Sequence, residues 1–158
     1  MPYYAHIRQD ENGETIYQTV AEHLTGTAAL CREFAADFGA EADGDLMGLA
    51  HDLGKCTDAF QKRLLEGGPV VDHTTAGMLT CIRMKRPSAA ACVAGHHGGL
   101  LDVGNLRTDR AGEATLSGRF KKGIESVVSD KDALFLSGGR GFSRYGAVHG
   151  RRTWARRI

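Results

Sequence analysis

Five histidines and one aspartate carry most of the chemistry this chain could do: His23, His51, Asp52, His73, His96 and His97. Imidazole titrates near neutral pH and is the commonest metal ligand, and a carboxylate can face two cations at once. The sharpest cue is "LMGLAHDLGKCTDAF", residues 46–60, where Leu46, Leu49, Ala50 and Leu53 recur at helical spacing. His51-Asp52 and then Gly54-Lys55 close that run. An imidazole beside a carboxylate adds little to packing at a helix end. Any one of these histidines alone would be an ordinary core or surface residue. Their shared placement at helix ends or on inner helix faces is what distinguishes them. Buried imidazoles need a proton acceptor or a metal, because an unpaired polar group in a core is costly.

The elements that must position them read as helices. Residues 16–39 carry Val20, Leu24, Ala28, Cys31, Phe34, Ala35 and Phe38 on one stripe, with Gly39 as a C-cap and His23 on the same stripe. Asp43 or Asp45 is expected to cap a second helix that ends at Gly54. Asp58 to Glu66 forms a short third, with Asp58 as its N-cap rather than a ligand. A fourth, within residues 72–86, is capped by Asp72 or Thr74 and stopped by Pro87. Ser88 then caps a fifth that dies at His96-His97 and Gly98-Gly99. A looser segment, about 100 to 112, precedes a last periodic stretch from Glu113 to Leu136. No alternating strand is expected. The class is all-α: a single helical domain over residues 1–136, its metal site at converging helix ends, followed by a Gly/Arg-rich tail over 137–158 that reads as disordered or non-native.

Composition bounds the rest. A chain of 158 residues can bury one core and not two, and 42% hydrophobic with 25% charged residues is the balance of a globular domain. No apolar run approaches the ~20 residues of a membrane span, and "MPYYAHIRQDENGE" holds no apolar signal core, so a cytoplasmic location is expected. Cys31, Cys56, Cys81 and Cys92 form no C-x-x-C pair, and three fall within helical apolar patterns, as reduced buried thiols do. Residues 1–100 hold 8 Lys/Arg against 13 Asp/Glu, whereas residues 101–158 hold 12 against 6, so the net charge of +1 hides an acidic and a basic half. The basic half suits a polyanionic partner, with Arg107, Arg110, Arg119, Lys121 and Lys122 as candidate nucleic-acid contacts.

Five imidazoles and one carboxylate exceed the four ligands of a single tetrahedral zinc. Six suit two metals about 3.5–4 Å apart bridged by a carboxylate and a water. Asp52 is the natural bridge. Imidazole-rich sites favour Mn, Fe, Co, Ni or Zn, whereas Mg prefers oxygen.

"HDLGK" after an upstream histidine, then "DHTTAG", then "GHHGG", resembles the HD superfamily of metal-dependent phosphohydrolases. Within it the chain is similar to the HD nuclease domain of the CRISPR type I interference helicase-nuclease. The "YxAH"-like opening is matched by Tyr4-Ala5-His6, the "HL" helix by His23-Leu24, and "HD-x-GK" by His51, Asp52, Gly54 and Lys55. Asp72-His73 matches "DH", and His96 to Gly99 matches "HH-GG". The resemblance implies one metal on His23, His51 and Asp52 and a second on Asp52, His73, His96 and His97. Lys55 would neutralise charge developing on the scissile phosphate, and His6 would lie behind the ligands or be structural. It further implies hydrolysis of single-stranded DNA by a metal-activated water, alongside a helicase domain or subunit and an RNA-guided surveillance complex. The chain has no G-x-x-x-x-G-K-[ST] loop, so it reads as a stand-alone subunit or an excised domain. An HD-type nucleotide phosphohydrolase and a catalytically weak HD interaction module are the alternatives.

One departure stands out. The family places a further Asp after a late "FS"-like segment, but Phe142-Ser143 leads into "RYGAVHGRRTWARRI", which has neither Asp nor Glu. An altered end, substitution by His149 and loss of one metal are the competing explanations; an altered or non-native end is favoured, and the first metal site would then be the weaker one.

Overall fold

Asp10 turns the chain back on itself before any helix begins. Its Oδ1 accepts from the amides of Asn12 and Glu14, both at 2.9 Å, and Gly13 supplies the left-handed backbone, φ +82°. The result is a hairpin in which β1 (Tyr4–Gln9) pairs antiparallel with β2 (Thr15–Thr19), Ile7 opposite Tyr17. The computed structural model describes residues 2–122, and within them this hairpin corrects the expectation of a chain without strands. Two short strands have no broad face to bury, so strict apolar alternation is not demanded of them.

Thr19 ends β2 and starts α1 (Val20–Ala36). Its hydroxyl accepts from the Glu22 amide at 3.2 Å while the Glu22 carboxylate accepts from the Thr19 amide at 2.9 Å, a reciprocal capping box. Residues 16–19, expected inside the first helix, therefore belong to the hairpin. Val20, Leu24, Ala28 and Ala35 are buried, but Phe34 and Phe38 are 69% and 74% exposed and are corrected off the core stripe. The reason lies in the partner helix, α2 (Glu41–Ala50), which meets α1 through glycines. A Cβ on Gly48 would strike the backbone of Thr27 and Ala28, and one on Gly44 the carbonyl of Cys31. Contact this close uses the small-residue face of α1 and leaves the phenylalanines outside.

A 3-10 turn (Leu53–Cys56) carries the chain from α2 into α3 (Asp58–Glu66), followed by α4 (Thr74–Arg83), α5 (Pro87–Gly95) and α6 (Leu116–Lys122). The mostly helical architecture is the class expected. Several caps differ. The N-cap of α2 is Ala40, with no side-chain bond, in place of Asp43 or Asp45; Thr57, not Asp58, caps α3. Arg86 precedes α5, whose first position is Pro87, so Ser88 lies inside. Asp72 does serve α4, its Oδ1 accepting from the amides of Thr74 and Thr75, both at 3.1 Å. Leu24, Met78, Val93 and Cys81 are the largest fully buried side chains. Of the cysteines, only Cys81 is buried, and burial pushes its thiol up to about 11; Cys92 sits on the outer side of α5, exposed. No helix among the described residues is long and apolar enough to cross a membrane. The Glu113–Leu136 stretch beyond Lys122, the 136/137 boundary and the tail with His149 lie outside the described residues.

Two substitutions of the same kind should have opposite effects. Gly48→Ala forces backbone apart and should cost ~1–3 kcal/mol in chemical denaturation. Gly26→Ala, in open space on α1, should be neutral or stabilise by up to ~1 kcal/mol.

Candidate metal centre

Asp52 follows the last turn of α2 and is 2% exposed, a carboxylate almost wholly removed from water. Such a burial is tolerated only with compensating partners. Three helix ends and the face of a fourth helix supply them. His23 comes from the first turns of α1, His51 is the C-cap of α2, His73 is the N-cap of α4, and His96 is the C-cap of α5. Backbone contacts hold these ends together. The Gly54 amide donates to the His73 carbonyl at 3.2 Å, and a Cβ on Gly54 would strike the His73 backbone. A Cβ on Gly77 would strike the Ala50 carbonyl, so α4 lies directly against the end of α2.

Three of the imidazoles are oriented by main-chain carbonyls. The Nδ1–H of His51 donates to Gly48 O at 2.8 Å, that of His73 to Val71 O at 3.1 Å, and that of His96 to Val93 O at 2.7 Å. A carbonyl only accepts, so each of these rings carries a proton on Nδ1 and turns its Nε2 toward the centre, the nitrogen a metal ion would take. His23 Nε2 lies 2.8 Å from Asp52 Oδ2 and 3.0 Å from His51 Nε2. His73 Nε2 meets His97 Nε2 at 2.8 Å. Asp52 Oδ1 has His96 Nε2 at 3.3 Å and His73 Nε2 at 3.5 Å, yet it is buried with no hydrogen-bond partner among the described residues. Burial opposes ionisation of Asp52, but its contacts with His23, His51 and His96 prevail and hold the carboxyl well below the usual carboxylate range. Burial likewise lowers His96, but the Asp52 carboxylate and the Val93 carbonyl raise it above the ordinary imidazole value. His97 is lowered, by burial and by the neighbouring His96 and His73.

The structure thus brings together all six expected ligands. Asp52, His73, His96 and His97 each offer one ligand atom, all within 4.8 Å of one another. Three imidazoles and a carboxylate are a fitting donor set for a divalent transition metal. The orphaned Oδ1 facing the Nε2 atoms of His96 and His73 is the deciding observation. A buried polar atom left unpaired costs ~1–3 kcal/mol, more if charged, and a cation at this position would satisfy it.

Lys55 is placed differently from a phosphate clamp. It is 4% exposed, and its Nζ lies 2.9 Å from Asp52 Oδ2, 3.1 Å from His6 Nε2 and 3.4 Å from Ala5 O. His6, expected to lie behind the ligands or to be structural, stands behind Lys55 and His23. Its ring meets that of His23 edge-on at 4.7 Å, and burial together with the Lys55 charge pushes its pKa down to about 4. Gln61 on α3 fastens β1 there, accepting from the Tyr4 amide at 2.9 Å and donating to Tyr4 O at 2.8 Å and Lys55 O at 2.7 Å. The candidate nucleic-acid residues disperse. Arg107 and Arg110 are exposed; Lys121 donates to Asp109 O at 2.6 Å; Arg119 is half-buried, its guanidinium on Thr74 Oγ1 at 2.5 Å. Beside His73 and His97 opens a cleft of about 440 Å³, walled by Val70, Val71 and Ala114 and edged by Arg119 and Lys122.

Residues 20–120 match the HD domain family. This chain is an HD domain. The matched span contains every one of the six ligands and Lys55, and leaves out His6. HD domains bind divalent metal ions and are metal-dependent phosphohydrolases, in keeping with the donor set here. No curated protein matches the chain.

Divalent Mn, Co, Ni or Zn should raise the melting temperature of metal-stripped protein, since an ion that binds only the native state stabilises it. Asp52→Ala should abolish the shift in thermal denaturation. For the wild type the shift should shrink as pH falls from about 8 to about 5.5, because protons compete with metal for imidazole nitrogens.

Proposed function

We propose that this HD domain is a metal-dependent nuclease that hydrolyses phosphodiester bonds of single-stranded DNA, acting in CRISPR type I interference with a helicase domain or subunit and an RNA-guided surveillance complex. The observation that carries the hydrolase part is the orphaned Asp52 Oδ1 flanked by His96 Nε2 and His73 Nε2, whose Nδ1 atoms are tied to main-chain carbonyls. What supports the polymeric substrate is the open cleft, which passes the His73 and His97 edge of the centre with cations on its rim. The order of the motifs from Tyr4 to Gly99 favours the CRISPR branch of the family.

Asp52, His73, His96 and His97 would hold the ion, with the carbonyls of Val71 and Val93 keeping two of the rings aimed. A bound divalent cation supplies a water of lowered pKa and positive charge for the phosphoryl oxygens. Lys55 holds the carboxylate in place from behind, and Lys122, exposed on the cleft rim, meets a phosphate of the entering strand. The apolar walls Val70, Val71 and Ala114, in a cleft within the size range of small-ligand sites, favour a second reading: a phosphohydrolase for single nucleotides.

Metal-loaded protein should linearise and degrade circular single-stranded DNA while leaving a panel of nucleoside phosphates intact; the reverse would establish the second reading. Asp52→Ala should lower turnover beyond the ~10–100-fold typical of residues behind a metal's ligands. Mn, Co or Ni should support a higher rate than Mg, measured on the same DNA.

A further inference from the structure

The two oxygens of Asp52 have unequal surroundings. Oδ2 is the crowded one. His23 Nε2 lies 2.8 Å from it and 3.0 Å from His51 Nε2, which itself lies 3.2 Å from Oδ2. Lys55 Nζ reaches Oδ2 at 2.9 Å and spends its other protons on His6 Nε2 and Ala5 O. Around Oδ1 stand the Nε2 atoms of His96 at 3.3 Å and His73 at 3.5 Å, and among the described residues Oδ1 has no hydrogen-bond partner.

We infer that Lys55 is the built-in second cation of this centre. Its ammonium, beside the His23 imidazole, fills the Oδ2 side where a second metal ion would sit, and the domain binds one ion, on the Oδ1 side. The inference rests on the metal-binding part of the reading above and is independent of the substrate.

Three features fix Lys55 in that role. Its backbone lies in the 3-10 turn and its carbonyl is held by Gln61 Nε2 at 2.7 Å, so the side chain starts from an anchored point. β1 covers it, with Ala5 only 2% exposed, so the ammonium has no short route to water. His6, His23 and Asp52 also offer ligand atoms within 4.8 Å of one another, and the Lys55 ammonium stands among them, 3.1 Å from His6 Nε2 and 2.9 Å from Asp52 Oδ2. A divalent ion on Oδ2 would displace Lys55 or stand against its charge with one carboxylate between them. On the other side three imidazoles and Oδ1 make a complete four-ligand set for one ion.

The test is Mn(II) titration of the metal-stripped full chain, followed by calorimetry and electron paramagnetic resonance. One ion per chain with the spectrum of isolated Mn(II) is expected. His96→Ala should weaken that ion by at least ~10–100-fold, whereas His23→Ala should retain it to within several-fold. Lys55→Met, if folded by circular dichroism, should take up a second ion and show spin coupling. Two ions in the wild type, loss of the tight ion in His23→Ala, or a folded Lys55→Met that stays at one ion would each overturn the inference. Should Lys55→Met fail to fold, the wild-type stoichiometry and the His23/His96 pair decide. No ion at all would sink the metal-dependent hydrolase reading along with the inference, whereas two ions would leave that reading standing.

Discussion

The burial of one carboxylate organises this molecule. Asp52 sits where three helix ends and a helix face meet, 2% exposed, and a lone anion in such a place is unstable unless surrounding groups answer it. The answer comes from every element in turn: an imidazole from α1, another from the end of α2, an ammonium from the 3-10 turn, and imidazoles from the start of α4 and the end of α5. The hairpin then closes over the ammonium. Removing the charge would leave a ring of nitrogens with nothing at its middle, so the fold and the centre cannot be described separately.

The glycines of this chain serve the same end. Gly44 and Gly48 let α2 lie on α1, and Gly77 lets α4 lie on the Ala50 carbonyl. Gly54 brings the turn after Asp52 onto the His73 backbone. Each is a place where main chain meets main chain, and together they bring helix ends close enough for short side chains to share one carboxylate. Small residues at these crossings set the distances of the centre more directly than the hydrophobic side chains do.

The cluster of five histidines around Asp52 could be read from sequence because it lies in short motifs at helix ends, and Gly54, Asp72 and Gly98-Gly99 mark those ends. The hairpin could not, since Tyr4 to Gln9 gains its order from Gln61, which lies 57 residues from Tyr4 along the chain. The partner of His6 was hidden for the same reason: its contact with Lys55 spans 49 positions. Phe34 and Phe38 follow the helical period faithfully but fall outside a contact defined by Ala28 and Gly48. Periodicity tells which residues share a face. How wide a face the partner covers is settled by the partner.

The Nδ1 tethers set the ring geometry through main chain alone. His51 and His96 each donate to the carbonyl three residues earlier, the unpaired carbonyls that any helix leaves in its last turn, and His73 donates two residues back. Elsewhere such rings are held by carboxylate side chains, which a single base change can delete. Here the tether has no side chain to lose, so the aim of His73 and His96 persists through a substitution at Val71 or Val93 that preserves the local backbone. The centre is in that sense buffered against mutation: apart from the ligands themselves and Lys55, few side chains are essential to it, and genetic drift around the site can be wide while the nitrogens stay in place.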